Sequence, residues 1–354
     1  MVCAMKKRSI ALCAAGMLVL AGIGLSACSF KEKLPETVTE MHGKCAKIDI
    51  GPGPEDFVLD EWQHTPRFLI SCCERREPPK NGNIFFYEPE TGRKGIMRRK
   101  GEPARIAAFK PHGMDVRHAE GVTYLYVILH DPYDTGKKTE HAVAVYQVFQ
   151  DQLTLKNWFE DPDCLWSPND LSVLENGDIY LTNDYRGKLD LYFKRRASEI
   201  AFYDADDKKW QIAAKDLAFA NGILAETDQV FVTTTLGNQV LSFPRHPDGS
   251  LGESEVVVSL KGGDNLMRHG KYLIAAAHFD DFAFLKHAKD SEKTAPTVVM
   301  RITPETGMKK PIYVNSGEFI SAASTALVYK DKIYISQVFD PFMVACEAPP
   351  DIDW

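Results

Sequence analysis

The sequence predicts an all-β protein, a six-bladed β-propeller with four-stranded blades, and three observations carry that expectation. Short runs rich in β-branched and aromatic residues recur six times, at intervals of roughly 40–60 residues, which is the spacing of propeller blades. Convincing amphipathic helices are scarce, the best candidate being residues 189–200. A chain of 354 residues exceeds the usual length of a β-sandwich, whereas six sheets around one axis account for it without a second domain.

The N-terminus precedes that domain and reads as an export leader. Lys6, Lys7 and Arg8 form a positive start, an uncharged apolar stretch runs from Ile10 to Leu25, and Leu25-Ser26-Ala27-Cys28 has the form of a bacterial lipobox. A lipobox ends in a cysteine that is acylated and becomes the new N-terminus; a plain secretory signal would need no cysteine there. The expected organisation is therefore a lipoprotein signal peptide at 1–27, a lipidated Cys28, a tether at 28–44 and a propeller catalytic domain at 45–354. Ser29 is not the Asp associated with inner-membrane retention, which favours the outer membrane, facing the periplasm or the cell surface. Loss of residues 1–27 removes three positive charges and no negative one, taking the formal charge from -7 to about -10. With no basic run or arginine stripe, this balance argues against a nucleic-acid partner.

The cysteines fit an exported protein. Cys3, Cys13 and Cys28 belong to the leader or the anchor, while Cys45 and Cys346 stand near the two ends of the domain. A disulfide between Cys45 and Cys346 would close a loop of about 300 residues, where loop-closure entropy favours a large stabilisation. In a propeller the first and last strands share a blade, so such a bond would clasp the ring. The vicinal pair Cys72 and Cys73, with Cys164, reads as buried thiol, and no pair has zinc-site spacing.

The six repeated runs lie at 67–71, 124–128, 178–182, 229–233, 271–275 and 332–336. Each has strand composition, and those after the first follow turn-like or polar clusters. Further strand-like pieces, such as 142–148 and 255–259, lie between them. A few residues upstream of each run stands a characteristic group: Glu55-Asp56, His112-Gly113, Asn169-Asp170, Asn221-Gly222, Asp264-Asn265 and, in the sixth repeat, the small hydroxylic stretch 321–325. Taken singly, Asn-Gly and Asn-Asp are ordinary turn formers. Five repeats that place a carboxylate, carboxamide or imidazole at one offset are a stronger signal, because a propeller points that offset toward one end of its channel. Convergent oxygens without thiols suit a hard cation, and calcium takes six to eight of them.

Gly-Pro-Glu-Asp at 53–56, His-Gly-Met-Asp at 112–115, Ser-Pro-Asn-Asp at 167–170, Phe-Ala-Asn-Gly at 219–222 and Asp264-Asn265 resemble the signature loops of the paraoxonase/arylesterase family, in order and spacing. The likeness runs from Cys45 to Cys346, and it implies two calcium ions. A catalytic ion would be held by Glu55, Asn169, Asn221, Asp264 and Asn265; a structural ion would be held by Asp56, Asp170 and the backbone carbonyl of Met114. His112 matches the family's histidine beside the catalytic metal and His130 matches its partner. Asp184 and His278 fall where the family has further pocket residues. His42, His118 and His141 read as satisfied surface or core histidines.

The resemblance implies a hydrolase of carboxylic esters or lactones with a small-molecule substrate, while the lipobox implies a membrane contact through the lipidated Cys28. Calcium would polarise the carbonyl and stabilise the developing oxyanion, and His112 would activate water with help from His130. A metal-bound carboxylate, Glu55 or Asp264, is the alternative base. No Gly-x-Ser-x-Gly elbow is evident, which disfavours a serine nucleophile. Two other functions fit the same residues: a non-catalytic calcium-stabilised surface propeller that binds a partner, and a gluconolactonase-like sugar lactonase, whose relatives lack the paired histidines. The segment 186–196 is shorter and more basic than the long aromatic segment of the animal enzymes and implies a more open pocket.

Overall fold

Alternating apolar residues bounded by turns give strands, and in the computed structural model these strands form six antiparallel meanders. The structure describes residues 34–35, 44–61, 65–76, 81–137, 140–187, 189–190 and 193–349. The leader at 1–27, Cys28 and nearly all of the tether at 28–44 lie outside the described residues. Among the described residues no helix is long and apolar enough to cross a membrane.

The first blade comprises β2 (Pro54–Asp60), β3 (Arg67–Cys72), β4 (Asn83–Tyr87) and β5 (Lys94–Ile96). The second comprises β7 (Pro111–Ala119), β8 (Val122–His130), β9 (His141–Phe149) and β10 (Gln152–Phe159). It departs from the expected four strands, because the short β6 (Arg98–Lys100) pairs in parallel with β10 as a fifth. The third holds β11 (Pro168–Val173), β12 (Ile179–Asn183), β13 (Ser198–Asp204) and β14 (Lys209–Leu217). The fourth holds β15 (Ala220–Ala225), β16 (Gln229–Thr234), β17 (Gln239–Pro244) and β18 (Glu255–Ser259). The fifth holds β19 (Gly263–His269), β20 (Tyr272–His278), β21 (Thr297–Thr303) and β22 (Met308–Asn315). The sixth takes β23 (Ala323–Tyr329), β24 (Lys332–Gln337) and β25 (Phe342–Glu347) from the C-terminal end and β1 (Cys45–Asp49) from the other.

β1 and β25 are in register with Cys45 opposite Cys346, and the two are joined as a disulfide. Cys72, Cys73 and Cys164 are buried thiols outside any disulfide, as their sequence context suggested. All six repeated runs fall on the second strand of a blade.

The apolar core is distributed between neighbouring blades. Val58, Leu69 and Phe86 of the first blade pack with Met114, Leu125 and Val127 of the second, and a corresponding cluster fills each of the other five interfaces. Sheets stacked face to face in this way bury both faces.

The helix expected at 189–200 is not there as a whole: residues 189–190 are helical but β13 starts at Ser198. A helix, α1 (Asp281–His287), lies instead between β20 and β21. The Asp280 carboxylate caps it by accepting from the N–H groups of Phe282 and Ala283, satisfying two of the donors a helix start leaves open.

Candidate metal and hydrolytic centre

The innermost strand of every blade breaks register at one place. The shifts fall between Pro54 and Asp56, Pro111 and Met114, Pro168 and Leu171, Ala220 and Ile223, Gly263 and Leu266, and Ala323 and Ala326. A bulge leaves residues out of the ladder and re-aims their side chains. The displaced residues include Glu55, His112, Asn169, Asn221, Asp264 and Ser324, so the common offset in the sequence is a bulge repeated around the ring.

These groups meet. The Ser324 hydroxyl donates to Glu55 Oε1 at 2.6 Å, and the Asn265 amide donates to the same oxygen at 3.3 Å and to Thr325 Oγ1 at 2.8 Å. His112 Nε2 lies 3.5 Å from Glu55 Oε2. Asp264 Oδ2 accepts from His278 Nε2 at 2.6 Å. The Asn169 amide faces Asp184 Oδ2 at 3.4 Å, and the Ser167 hydroxyl donates to Asp184 Oδ1 at 2.5 Å. Asn221 donates to Thr235 Oγ1, which in turn donates to the carbonyl of Gly263.

Glu55 Oε2 and the side-chain oxygens of Asn169, Asn221 and Asn265 are buried with no hydrogen-bond partner. Each such atom costs about 1–3 kcal/mol when left unpaired, and all four stand on bulged inner strands, where a bound ligand would satisfy them. In all three carboxamides the nitrogen is the half turned toward an acceptor, which leaves the oxygen facing away from it. Among the described residues no group of three or more His, Cys, Asp or Glu is gathered to hold a metal ion. The centre is of the other kind, carboxylates mixed with carboxamide oxygens, which suits a hard cation of high coordination number and limits charge repulsion.

Asp56 and Asp170 lie deeper. Asp56 accepts from the N–H of Phe57 and the Thr325 hydroxyl on one oxygen and from the N–H of Met114 on the other. Asp170 accepts from the N–H groups of Leu171 and Ile223. Burial, reinforced by Glu55, pushes Asp56 up to about 8; burial and the Asp56 charge raise Asp170 well above the usual carboxylate range. A cation beside them would offset both costs. A cavity of about 30 Å³ lies there, lined in part by Asp56, Met114, Asp170, Asn265 and Asp115, with room for one small ion or water.

His112 Nδ1 is 2.5 Å from His130 Nε2, so the two histidines singled out in the sequence are in direct contact. Burial, followed by the Arg75 charge, holds the His112 imidazole down to about 3; burial and the two neighbouring imidazoles hold His130 well below its ordinary value. In both rings burial disfavours the charged form. His278 stacks against Phe284 of α1 at 4.3 Å, and Tyr185 stacks on Phe219 at 5.6 Å. Burial pushes the Asp184 carboxyl up to about 6.

Three groups in or near the centre escaped the sequence reading. Arg75 donates to the carbonyls of Gly53, Cys73 and Pro111 and lies 3.8 Å from Glu55. Asp115 accepts from the N–H of Val173 in the next blade at 2.7 Å. His141, taken from its sequence as a satisfied residue, stands 3.0 Å from His130, Nδ1 to Nδ1; His118, by contrast, bonds Thr123 as expected, and His42 lies outside the described residues. In the basic segment, Arg186 lies over the Trp166 ring and pairs with Glu199 at 3.2 Å.

Comparison with known proteins bears on this geometry. Serum paraoxonase/arylesterase 1 of Mus musculus is 22% identical over 280 residues, covering 74% of this chain and 76% of its own length. The same protein of Rattus norvegicus is 24% identical over 283 residues with equal coverage. A solved gluconolactonase from Xanthomonas campestris superposes with a TM-score of 0.54 at 16% identity, over 86% of this chain and 87% of its own. A calcium-binding protein, regucalcin, from Agrobacterium tumefaciens superposes with a TM-score of 0.50 at 12% identity, over 85% and 90%. At such identities the solved structures speak for the propeller fold alone. The arylesterase family model, however, matches residues 53–347, from the first bulge to the last strand, and the chain belongs to the arylesterase family.

Proposed function

We propose that the protein is a calcium-dependent hydrolase of carboxylic esters or lactones. The observation that carries this reading is the set of four unpaired buried oxygens, on Glu55, Asn169, Asn221 and Asn265, together with the contacting pair His112 and His130. Glu55, Asn169, Asn221, Asp264 and Asn265 are the residues that would hold a catalytic ion, and Asp56, Asp170 and the Met114 carbonyl those that would hold a structural one. Bound calcium supplies a Lewis acid that polarises a carbonyl and stabilises negative charge on its oxygen.

The rest of the work falls to the chain's own groups. His112 Nε2 takes the proton of the attacking water, and His130 holds the ring through Nδ1. Burial and Arg75 keep His112 neutral until then. Asp264 fixes His278 by a 2.6 Å contact, and Asp184 fixes the Asn169 amide, so both groups orient the centre from its edge.

Phenyl acetate and a panel of acyl-homoserine and aliphatic lactones, each assayed with calcium and with chelator, test the reading. Turnover that chelator abolishes and calcium restores is expected, and His112→Gln should lose about 10²–10⁴-fold in kcat. A well-folded protein inactive on every substrate would leave a calcium-stabilised binding propeller. Activity that survives His112→Gln and His130→Gln would point to a gluconolactonase-like mechanism.

We further propose that the protein is exported, cleaved after Ala27, acylated on Cys28 and held to a membrane by residues 28–44, with 45–354 as the catalytic domain. The lipobox at 25–28 supports this, as does the Cys45–Cys346 disulfide, a bond characteristic of oxidising compartments. The mature chain should begin at a Cys28 bearing lipid and partition with membranes, and Cys28→Ala should be soluble. An N-terminus at Met1 on the purified protein would overturn the proposal.

A further inference from the structure

The contact between His112 and His130 leaves one question of chemistry open: which nitrogen of His112 is bare. The answer lies in a third imidazole. His130 ends β8 and His141 begins β9, and the two are directly opposite in the antiparallel ladder. That register sets His130 Nδ1 3.0 Å from His141 Nδ1, while His130 Nε2 lies 2.5 Å from His112 Nδ1. The rings meet edge to face, with centroids 4.8 Å and 4.9 Å apart.

Both ring nitrogens of His130 are therefore committed, one to each neighbour. A neutral imidazole carries a single N–H, so His130 donates to one side and accepts from the other. The row has two polarities. In the first, His112 donates from Nδ1 to His130, His130 donates from Nδ1 to His141, and His112 Nε2 is left bare. In the second, every hydrogen points the other way and His112 Nε2 carries one, facing Glu55 Oε2 at 3.5 Å. Only the first polarity lets His112 accept a proton from water.

We propose that His141 is a positioning residue that selects the first polarity by accepting from His130 Nδ1. This rests on the reading of His112 as the general base. His141 is partly exposed, and the tautomer a neutral imidazole prefers in water has its hydrogen on Nε2, which leaves Nδ1 to accept. The opposing pull is the contact between His112 and Glu55, which at 3.5 Å is longer than an N–H···O hydrogen bond. The logic is that of any histidine whose working nitrogen is set by the bond its other nitrogen makes.

Imidazole ¹⁵N spectra of the full chain give a readout independent of turnover. His130 should carry its hydrogen on Nδ1 in the wild type and on Nε2 in His141→Phe, which keeps a ring in place but cannot accept. On phenyl acetate with calcium, His141→Phe should lose about tenfold in kcat with KM within about twofold, and His141→Gln, whose side-chain carbonyl can accept, should return to within about threefold of wild type. A wild-type His130 protonated on Nε2, or a His141→Phe enzyme at the wild-type rate beside an inactive His112→Gln, would overturn the role of His141 alone. Wild-type rates in His112→Gln would remove the general base, and this proposal with it.

Discussion

A methyl group added at Gly222 would lie 2.6 Å from the Asp264 carbonyl oxygen and 2.6 Å from Asn265 Cα. One added at Gly113 would lie 2.5 Å from the Asn169 carbonyl and 2.6 Å from Asp170 Cα. The obstructing atoms are backbone, so they cannot swing aside. These glycines let the bulge of one blade press against the bulge of the next, and that closeness brings side chains from different blades into one centre. Gly222→Ala should therefore destabilise the protein by about 1–3 kcal/mol through overpacking, and should weaken calcium binding because Asp264 and Asn265 are the groups displaced. Gly187→Ala, where no heavy atom lies within 4 Å, should change stability by less than about 1 kcal/mol and leave calcium affinity alone. Urea unfolding with a calcium titration on both variants checks this; equal effects from the two would defeat the argument. In the sequence, Asn221-Gly222 has the form of a turn and His112-Gly113 marks the repeated offset. Both are strand interiors, where the glycine serves close approach. Arg75 was not legible at all, because its partners Gly53, Cys73 and Pro111 include a carbonyl in the neighbouring blade, and nothing in the run 74–76 marks the middle residue as special.

The bulged inner strand is the repeating element, and it is what made the candidate centre readable. A period of one blade placed the same kind of residue at the same offset, and the register shifts give that offset its physical cause. Part of the element was hidden. Asp56 accepts from Met114, Asp115 from Val173 and Asp170 from Ile223, steps of 58, 58 and 53 residues. Each step spans one blade, so three carboxylates tie the inner strands of the first four blades in succession, each to the backbone N–H of the next. A carboxylate that bonds main chain leaves no mark on its partner's side chain, so the sequence assigns Asp115 no role beyond its place in the 112–115 loop and marks Asp56 and Asp170 only as metal ligands. Helix α1 was missed because its apolar residues do not keep to one face: Phe284 packs on His278 and Phe339, while Phe282 and Leu285 are 79% and 56% exposed. The stretch 189–200 has more helical periodicity, yet its C-terminal end is taken by β13, which gains full ladders with β12 and β14. Tertiary pairing outweighs local pattern there.

At the scale of the whole molecule, a ring of six blades has one seam, and the sixth blade carries it. β1 contributes only the outer strand of that blade, held by its ladder to β25, by the hydrogen bond from Ile50 N–H to the Pro341 carbonyl and by Lys47 over the Phe342 ring. Beyond β1 the chain passes directly to Glu55 and Asp56, so loosening the seam loosens one side of the candidate centre. The Cys45–Cys346 bond, spanning 301 residues, adds a covalent link to those contacts and so opposes the peeling of β1 from the blade. Because Cys72, Cys73 and Cys164 are buried and not in disulfides, a reductant acts on the described part of the domain through the Cys45–Cys346 bond. Reduction, or the pair Cys45→Ser and Cys346→Ser, should lower stability by roughly 2–5 kcal/mol, with the midpoint of urea unfolding shifted and its slope little changed. Proteolysis of the reduced protein should cut first near residues 50–53, where the seam meets the first blade, and calcium should slow that cleavage by holding Glu55 and Asp56 in place. Unfolding midpoints that coincide with and without reductant would mean that the ladder alone closes the ring; a first cut elsewhere would mean that the molecule opens at a different blade.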